Sequence, residues 1–446
     1  MGGENYLMRV LHVPYCFYPD PVGGTEVYVS SLMTCLSKKN IESSVAAPDI
    51  HTHFYQYNNF DVDRFSVSEK INNLEDLHGE GDEKAREEFS RILEKKKPDI
   101  VHFHALTRGV SLRLMREAKR QDIKTVFTYH TPTVTCFRGT LLHLGKNICN
   151  GKLDKKNCSV CTLHALGVNQ VTAKTVNAFS VLLGDKIIKT KLRGKLWTAL
   201  SMSQLMKLRH AVIYSMMKEV DKLVVLCEWA KKLCMINGVE QEKIMLSRHG
   251  LSSKSSSIIK RADMKLNFPL KIVFIGRFDV MKGPDILVKA IRNMLDLEIQ
   301  FDLYGIVQNK EEKYFNTLKS LAAGDPRIRF LSPVPSEEVI SLLCQYHLLV
   351  VPSRCLETGP LVVLEAFAAG VPVIGSSLGG IAELVKHQEN GLLVKTDSLK
   401  DWMHVIRQCC ETPSIIDNFK KNIKPPRSME LVSTEMAALY YQLCQN

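Results

Sequence analysis

The chain has 446 residues, more than one hydrophobic core usually serves, so two domains of roughly 200 residues each are expected. Its 45% hydrophobic and 24% charged residues are ordinary for a globular protein, and the absence of an apolar run of ~18 residues excludes a membrane span from its organisation. The formal net charge of +12 asks for an anionic partner, whether nucleotide, phospholipid surface or nucleic acid, without choosing among them.

The first stretch, MGGENYLMRVLHVPYCF, has no charged segment leading into a long apolar one, so secretion is not expected. Nine of the thirteen cysteines are scattered singly or in apolar contexts, as reduced cysteines of a cytoplasmic protein are. From Met8 the pattern alternates. RVLHVPYCF reads as a strand, PDPVGGTEVYVSSLMTCLSKKN as a glycine turn entering a helix, then come SSVAAPD, PDIVHFHAL, the helical SLRLMREAKRQ and IKTVFTYHT. Short β-rich runs between amphipathic helices imply right-handed βαβ units and a parallel sheet covered on both faces.

The rhythm breaks over about 136–217. Here Cys136, Cys149, Cys158 and Cys161 have the spacing C-x12-C-x8-C-x2-C, and basic amphipathic segments such as GDKIIKTKLRGKLWTAL follow. The closing C-x2-C suits a tetrahedral Zn²⁺, and four thiolates leave no open position for water, so a structural metal is expected there, with His143 and His164 as spare ligands. Unligated thiols, two disulfides or an iron–sulfur cluster are the alternatives. The basic segment from about Gly184 to Met217 is either a solvated helical insertion or a surface that rests on an anionic leaflet, placing the protein peripherally at the inner face of the membrane.

The first α/β series resumes with DKLVVLCEWAKKLCMINGV and EKIMLSRHG, and LSSKSSSIIKRADMKLN has the composition of a linker. A second series begins at PLKIVFIGRF and runs through IQFDLYG, IRFLSPV, HLLVVPS, VLEAFAAG, VPVIGSS and GLLV, and the tail SMELVSTEMAALYYQLCQN is helical. The expected division is 1–255 for the first Rossmann-like domain, 256–270 for the linker, 271–425 for the second domain, and 426–446 for a helix that crosses back to the first. In such folds ligands bind in loops that follow strands.

Three loops have that placement. Gly23 and Gly24 lie between the first strand and first helix, where backbone amides can approach an anion, although a plain tight turn explains them equally well. Arg277 and Lys282 stand five residues apart after the strand KIVFI and can flank a diphosphate. Glu357 follows the strand HLLVVPS, and Glu365 lies eight positions on, inside a helix beginning near Pro360. A carboxylate in the helix body can accept two ribose hydroxyls while the amides near Leu361 and Val362 meet phosphate. His102 and His104 read as core or rim residues; His249 can face a ligand or serve as a hinge.

Arg277 and Lys282 in GRFDVMKG, the pair Glu357 and Glu365, PVIGSSLGGIAE, and in the first half GGTE, PDIVHFHAL and TYHT together resemble the retaining glycosyltransferases of family 4, a GT-B fold of two Rossmann-like doubly wound domains facing a cleft. The resemblance covers nearly the whole chain. It implies a hexosyltransferase that moves a sugar from a nucleotide-sugar donor to a glycan, lipid-linked or small-molecule acceptor in polysaccharide or glycoconjugate synthesis. UDP- or GDP-linked donors are expected ahead of ADP-linked ones. By the same resemblance Arg277 and Lys282 bind the diphosphate and Glu365 the ribose. Glu357 contacts the donor sugar and stabilises developing positive charge, and His130 touches the sugar. Gly23 and Gly24 lie under the phosphates, and a base-contacting segment is expected near Ser332 to Val334. No metal is expected in catalysis, because cations and helix amides take its part. Thr358-Gly359-Pro360 departs from the Gly-Phe-Gly of many relatives, which leaves the donor sugar open.

Three other readings are carried alongside: a catalytically silent scaffold of the same fold, a phosphorylase or sugar-nucleotide epimerase, and a zinc-containing nucleic-acid-binding protein. The last is disfavoured because the basic residues are not interleaved with aromatics.

Overall fold

The computed structural model describes residues 7–20, 23–69, 78–184, 194–252, 268–307 and 311–445. Most of the expected linker, 256–267, and the basic residues 185–193 lie outside the described residues. The chain divides into two compact units: Met1–Ser247 with Val432–Asn446, and Arg248–Leu431. The first unit thus ends before the expected 255. The reason is local: Leu251 forms a parallel bridge with Ser428, its N–H donating to the Arg427 carbonyl at 2.9 Å, which ties this stretch to the second unit.

In the first unit the chain runs β1 (Met8–Val13), α1 (Gly24–Ser37), β2 (Ile41–Asp49), β3 (His53–Tyr57), β4 (Phe60–Ser66), α2 (Glu83–Lys96), β5 (Ile100–Phe103), α3 (Leu112–Arg120) and β6 (Lys124–Tyr129). An insertion follows: a small hairpin, β7 (Leu142–His143) and β8 (Asn147–Ile148), then α4 (Lys155–Ala165), α5 (Gln170–Leu183) and α6 (Lys195–Glu219). The main sheet then resumes with β9 (Lys222–Val225), α7 (Glu228–Ile236) and β10 (Ile244–Leu246). Among the described residues the sheet order is β10-β9-β6-β5-β1-β2-β4-β3, parallel except for the β3–β4 pair. Strand β1 is buried at five of its six positions, which is why its sequence is a nearly unbroken apolar run rather than an alternating one. The insertion has a small core of its own, Val160, Leu163, Ala173, Met202 and Met206. Asp154 caps α4 by accepting from the Asn157 N–H at 2.6 Å, and Asn169 caps α5 by accepting from Thr172 at 2.9 Å, so these helices start where side chains satisfy their first amides.

The second unit runs β11 (Leu270–Arg277), α8 (Pro284–Arg292), β12 (Ile299–Ile306), α9 (Glu312–Ala322), β13 (Ile328–Leu331), α10 (Val339–Leu343), β14 (Leu348–Val351), α11 (Leu361–Ala368), β15 (Val373–Ser376), α12 (Gly379–Leu384), β16 (Gly391–Val394), α13 (Leu399–Glu411) and α14 (Ser414–Asn422). The closing helix α15 (Met429–Gln445) belongs to the first unit from Val432 onward. The six strands are all parallel in the order β13-β12-β11-β14-β15-β16. Counted from β11, that is the doubly wound order 3-2-1-4-5-6, whose switch point lies between β11 and β14. Apolar cores cover both faces, one around Phe278, Leu287, Phe301 and Trp402, the other around Val351, Val363, Phe367 and Ile381.

Candidate active site

The loops after β11 and β14 leave the sheet at the switch point of the second unit, and they carry the residues singled out from sequence. Arg277 ends β11 with its side chain 53% exposed, in an ion pair with Asp279 at 3.2 Å. Asp279 also accepts from the Lys282 N–H at 2.8 Å, so a single short turn sets the spacing of the two cations. Gly283 closes that turn at φ +67, and a Cβ there would lie 2.5 Å from the Pro352 carbonyl oxygen. A glycine is required because the two switch-point loops touch through their backbones. Arg354 reinforces the contact, its N–H donating to the Met281 carbonyl at 2.7 Å and its guanidinium pairing with Asp285 at 2.7 Å.

Lys282 and Glu357 meet across this junction, Nζ to Oε2 at 2.7 Å, with both side chains largely buried. Ser353 donates to the other carboxylate oxygen of Glu357. Burial pushes the Glu357 carboxyl up, but Lys282, Ser353 and Arg277 more than offset it, and the group stays ionised below the ordinary carboxylate range. Burial likewise disfavours the charged Lys282, and Glu357 overcomes this, so the ammonium is held above its usual value. The Glu357 carbonyl accepts from the Gly380 N–H at 2.6 Å, and a Cβ on Gly380 would lie 2.7 Å from that oxygen. The glycines of PVIGSSLGGIAE therefore seat the carboxylate loop on the start of α12.

Pro360 precedes α11 in extended backbone and Leu361 and Val362 are its first helical residues, so the amides expected to meet phosphate stand at a helix N-terminus. Glu365 lies on the next turn, and burial alone pushes its carboxyl up to about 7. Val334, in the loop after β13, packs partly buried on the apolar core next to β14. Arg277, Lys282, Glu357, Glu365, Leu361 and Val362 thus sit on the strand-end loops and the helix of one switch point. Ser353 and Asp279, which position Glu357 and Lys282, were not singled out from sequence. Their signal was adjacency alone, one two residues after β14 and one inside GRFDVMKG.

In the first unit Gly23 precedes α1 at φ −116, a conformation open to any residue, and its N–H donates to Glu26 Oε2 at 2.8 Å. The nearest atom to a Cβ at Gly23 would be 3.5 Å away, so the fold does not demand glycine there. Gly24 is the first residue of α1. His130 directly follows β6 and is buried beside Tyr28. His249 is also buried, which pushes it down to about 4.

The four insertion cysteines line one cavity of about 470 Å³ together with His143 and His210; His164, expected as a spare ligand, is not among its lining residues. All four are free cysteines in this structure. Cys161 Sγ accepts from the Leu144 N–H at 3.3 Å and Cys149 Sγ from the Gly151 N–H at 3.5 Å. Burial pushes Cys158 up to about 11. Among the described residues, the group of three whose ligand atoms all lie within 4.8 Å of one another is His12, His102 and His104, not any three of these cysteines.

Comparison with known structures agrees with the two-unit architecture. Sucrose-phosphate synthase from Thermosynechococcus elongatus superposes with a TM-score of 0.67 at 18% identity, over 98% of this chain and 99% of that one. HepE from Anabaena, solved with UDP and glucose, gives 0.62 at 14% identity over 98% and 100%. The fold is GT-B, with two Rossmann-like α/β units. In sequence, the D-inositol 3-phosphate glycosyltransferases of Corynebacterium aurimucosum and Corynebacterium efficiens are 30% and 34% identical over 159 and 145 residues, 33% and 30% of this chain. The matched stretch spans about a third of those relatives, 37% and 34% of their lengths. The family model Glycosyl transferases group 1 matches residues 259–425, and the model Glycosyltransferase Family 4 matches residues 22–252, more than half of the chain. With the switch-point residues all present and both halves matched in order, the chain belongs to glycosyltransferase family 4.

Proposed function

We propose that the protein is a retaining hexosyltransferase that uses a UDP- or GDP-linked sugar and acts on a glycan, lipid-linked or small-molecule acceptor. The observation that carries this reading is the buried Lys282–Glu357 pair at the switch point, beside the N-terminus of α11. Arg277, Lys282 and the amides of Leu361 and Val362 hold the diphosphate, Glu365 takes the ribose hydroxyls, and the segment through Val334 meets the base. Gly23 lies under the phosphates, which gives a reason for a glycine that its own fold does not require. His130 contacts the donor sugar. HepE supports the donor class, being a neighbour of the same fold solved with UDP-glucose.

In the reaction the anomeric C–O bond to phosphate breaks and its electron pair goes to the diphosphate, where the cations and helix amides stabilise it. Glu357, ionised beside the sugar, lowers the energy of the oxocarbenium-like carbon. The acceptor oxygen attacks the same face and its proton passes to the departing phosphate oxygen. The test is a thermal-shift screen of UDP, GDP and ADP sugars followed by turnover and NMR of the product anomer. Retained configuration is expected; an inverted product, or an epimerised donor without transfer, overturns the reading. If the acceptor is lipid-linked, anionic vesicles should stimulate turnover. Two features support such a membrane contact: the exposed Val171, Phe179 and Leu182 of α5 and the basic sequence that follows.

We also propose that Cys136, Cys149, Cys158 and Cys161 hold a structural zinc, supported by their common cavity and by the amide N–H groups on two of the sulfurs. Metal analysis after purification under reducing conditions should find about one zinc per chain, lost on Cys158→Ser with Cys161→Ser. Metal-free protein, or zinc retained in the double variant, overturns the site.

A further inference from the structure

Four histidines gather at the carboxyl ends of β1, β5 and β6, the switch point of the first sheet. His12 on β1 lies in register with His102 on β5, and His104 and His130 follow the ends of β5 and β6. All four are buried. His12 Nδ1 is 3.1 Å from His104 Nε2, and His104 Nδ1 is 3.0 Å from His130 Nε2, so three imidazoles form one hydrogen-bonded row. His102 stands beside the row with both ring nitrogens engaged, one with Tyr440 OH and one with Thr128 Oγ1, each at 2.6 Å.

Burial alone pushes His12 down to about 3, and burial with the neighbouring rings puts His102 and His104 well below the ordinary range. His12 and His104 are therefore neutral and each carries one proton, which leaves two arrangements of the row. If His12 donates from Nδ1 to His104, then His104 donates from Nδ1 to His130, and what is left over is a bare lone pair on His12 Nε2. If the row runs the other way, what is left over is an N–H on His12 Nε2. That atom is buried with no hydrogen-bond partner among the described residues. A buried N–H without an acceptor is the costlier of the two, so the first direction is preferred.

We propose that His104, backed by His12, is a positioning residue that fixes the tautomer of His130, with the proton on Nδ1 and Nε2 acting as an acceptor. Free imidazole side chains in water favour the opposite tautomer, with the proton on Nε2. The row thus holds His130 as an Nδ1–H donor before any ligand arrives, and resting on the function proposed above, that donor meets an oxygen of the transferred sugar. A metal at His12, His102 and His104, whose ligand atoms lie within 4.8 Å of one another, is the competing use of the same residues. It is disfavoured because His102 and His104 already have both nitrogens in hydrogen bonds.

The decisive measurement is the histidine ¹⁵N spectrum of the whole wild-type protein, which distinguishes protonated from bare nitrogens. His130 should appear as the Nδ1–H tautomer and revert to Nε2–H in His104→Leu. His104→Asn, whose amide N–H falls near the place of Nδ1, should restore both the signature and most of the activity. In His104→Leu, kcat should fall by roughly tenfold or more with KM for the donor little changed, provided that thermal melting and nucleotide binding show a folded protein. An Nε2–H tautomer for His130 in the wild type overturns the proposal, as does a Leu variant with unaltered kcat or a stoichiometric divalent ion lost on His12→Leu. If the protein transfers no sugar at all, the functional reading falls while the tautomer measurement still decides the row.

Discussion

Replacing Glu357 with glutamine should lower turnover by ~10²-fold or more, the scale of losing one electrostatic contact to a charged transition state. Nucleoside diphosphate binding should be unchanged or tighter. The opposite signs follow from the 2.7 Å contact with Lys282. In the ligand-free protein Glu357 neutralises the ammonium that a diphosphate would otherwise meet, so removing its charge frees Lys282 for the leaving group. The same change takes away the negative charge beside the anomeric carbon, which matters only as positive charge develops. A variant that lost affinity and turnover in proportion would instead mean that Glu357 merely shapes the binding loop. Stability provides an independent check. The Glu357 carboxyl is held below its ordinary value, so its contribution is present at neutral pH and lost as pH falls through the folded-state value. Melting temperature should therefore drop less steeply on acidification in the glutamine variant than in the wild type.

Binding of nucleotide should release protons near neutrality, and Glu365 should be their source. Burial pushes its carboxyl from the ordinary 4.5 up to about 7, so a substantial fraction is protonated before ligand arrives. To accept both ribose hydroxyls it must ionise. Affinity should fall with decreasing pH by up to about tenfold per unit below that value. Calorimetry in buffers of different ionisation enthalpy would show the proton release, and Glu365→Gln should abolish it together with most of the affinity. The stability effect has the opposite sign to that of Glu357. A raised acid value means that the folded state holds the proton that the unfolded chain has lost, so the favourable contribution is full below 4.5 and disappears as pH rises to about 7. Compared with Glu365→Gln, the ligand-free wild type should lose melting temperature over that window. Equal pH dependence in the two proteins, with no proton release, would remove Glu365 from the ribose site.

The placement of Arg277, Lys282, the two glutamates and the intervening helix start on strand-end loops was legible because each is local. Arg277 and Lys282 share one short turn, and Glu357 and Glu365 flank one helix start. The parallel sheets were equally legible, since strands buried on both faces write themselves as unbroken apolar runs between amphipathic helices. The domain limit at 255 was misplaced because the Leu251–Ser428 bridge joins residues far apart in sequence. The cysteine spacing pointed to a common site, and the four do line one cavity, yet the distances between sulfurs depend on how the β7–β8 hairpin packs against α4.

By itself, then, the sequence determined the two α/β units, the βαβ alternation of most of their elements, and the chemical types gathered after β11 and β14; β3, β4, α2 and the antiparallel β3–β4 pair were not read from it. Only the tertiary structure decided which charges neutralise one another. Lys282 and Glu357 are 75 residues apart, and no periodicity or spacing encodes their 2.7 Å contact. It likewise joined His104, read from sequence as a core or rim residue, to His130 and to His12, which had not been singled out, because ring-to-ring contact depends on three strands ending at one level of the sheet. Hydrophobic pattern is read along the chain, but desolvation and charge pairing act through space, and those are what set the protonation of this site.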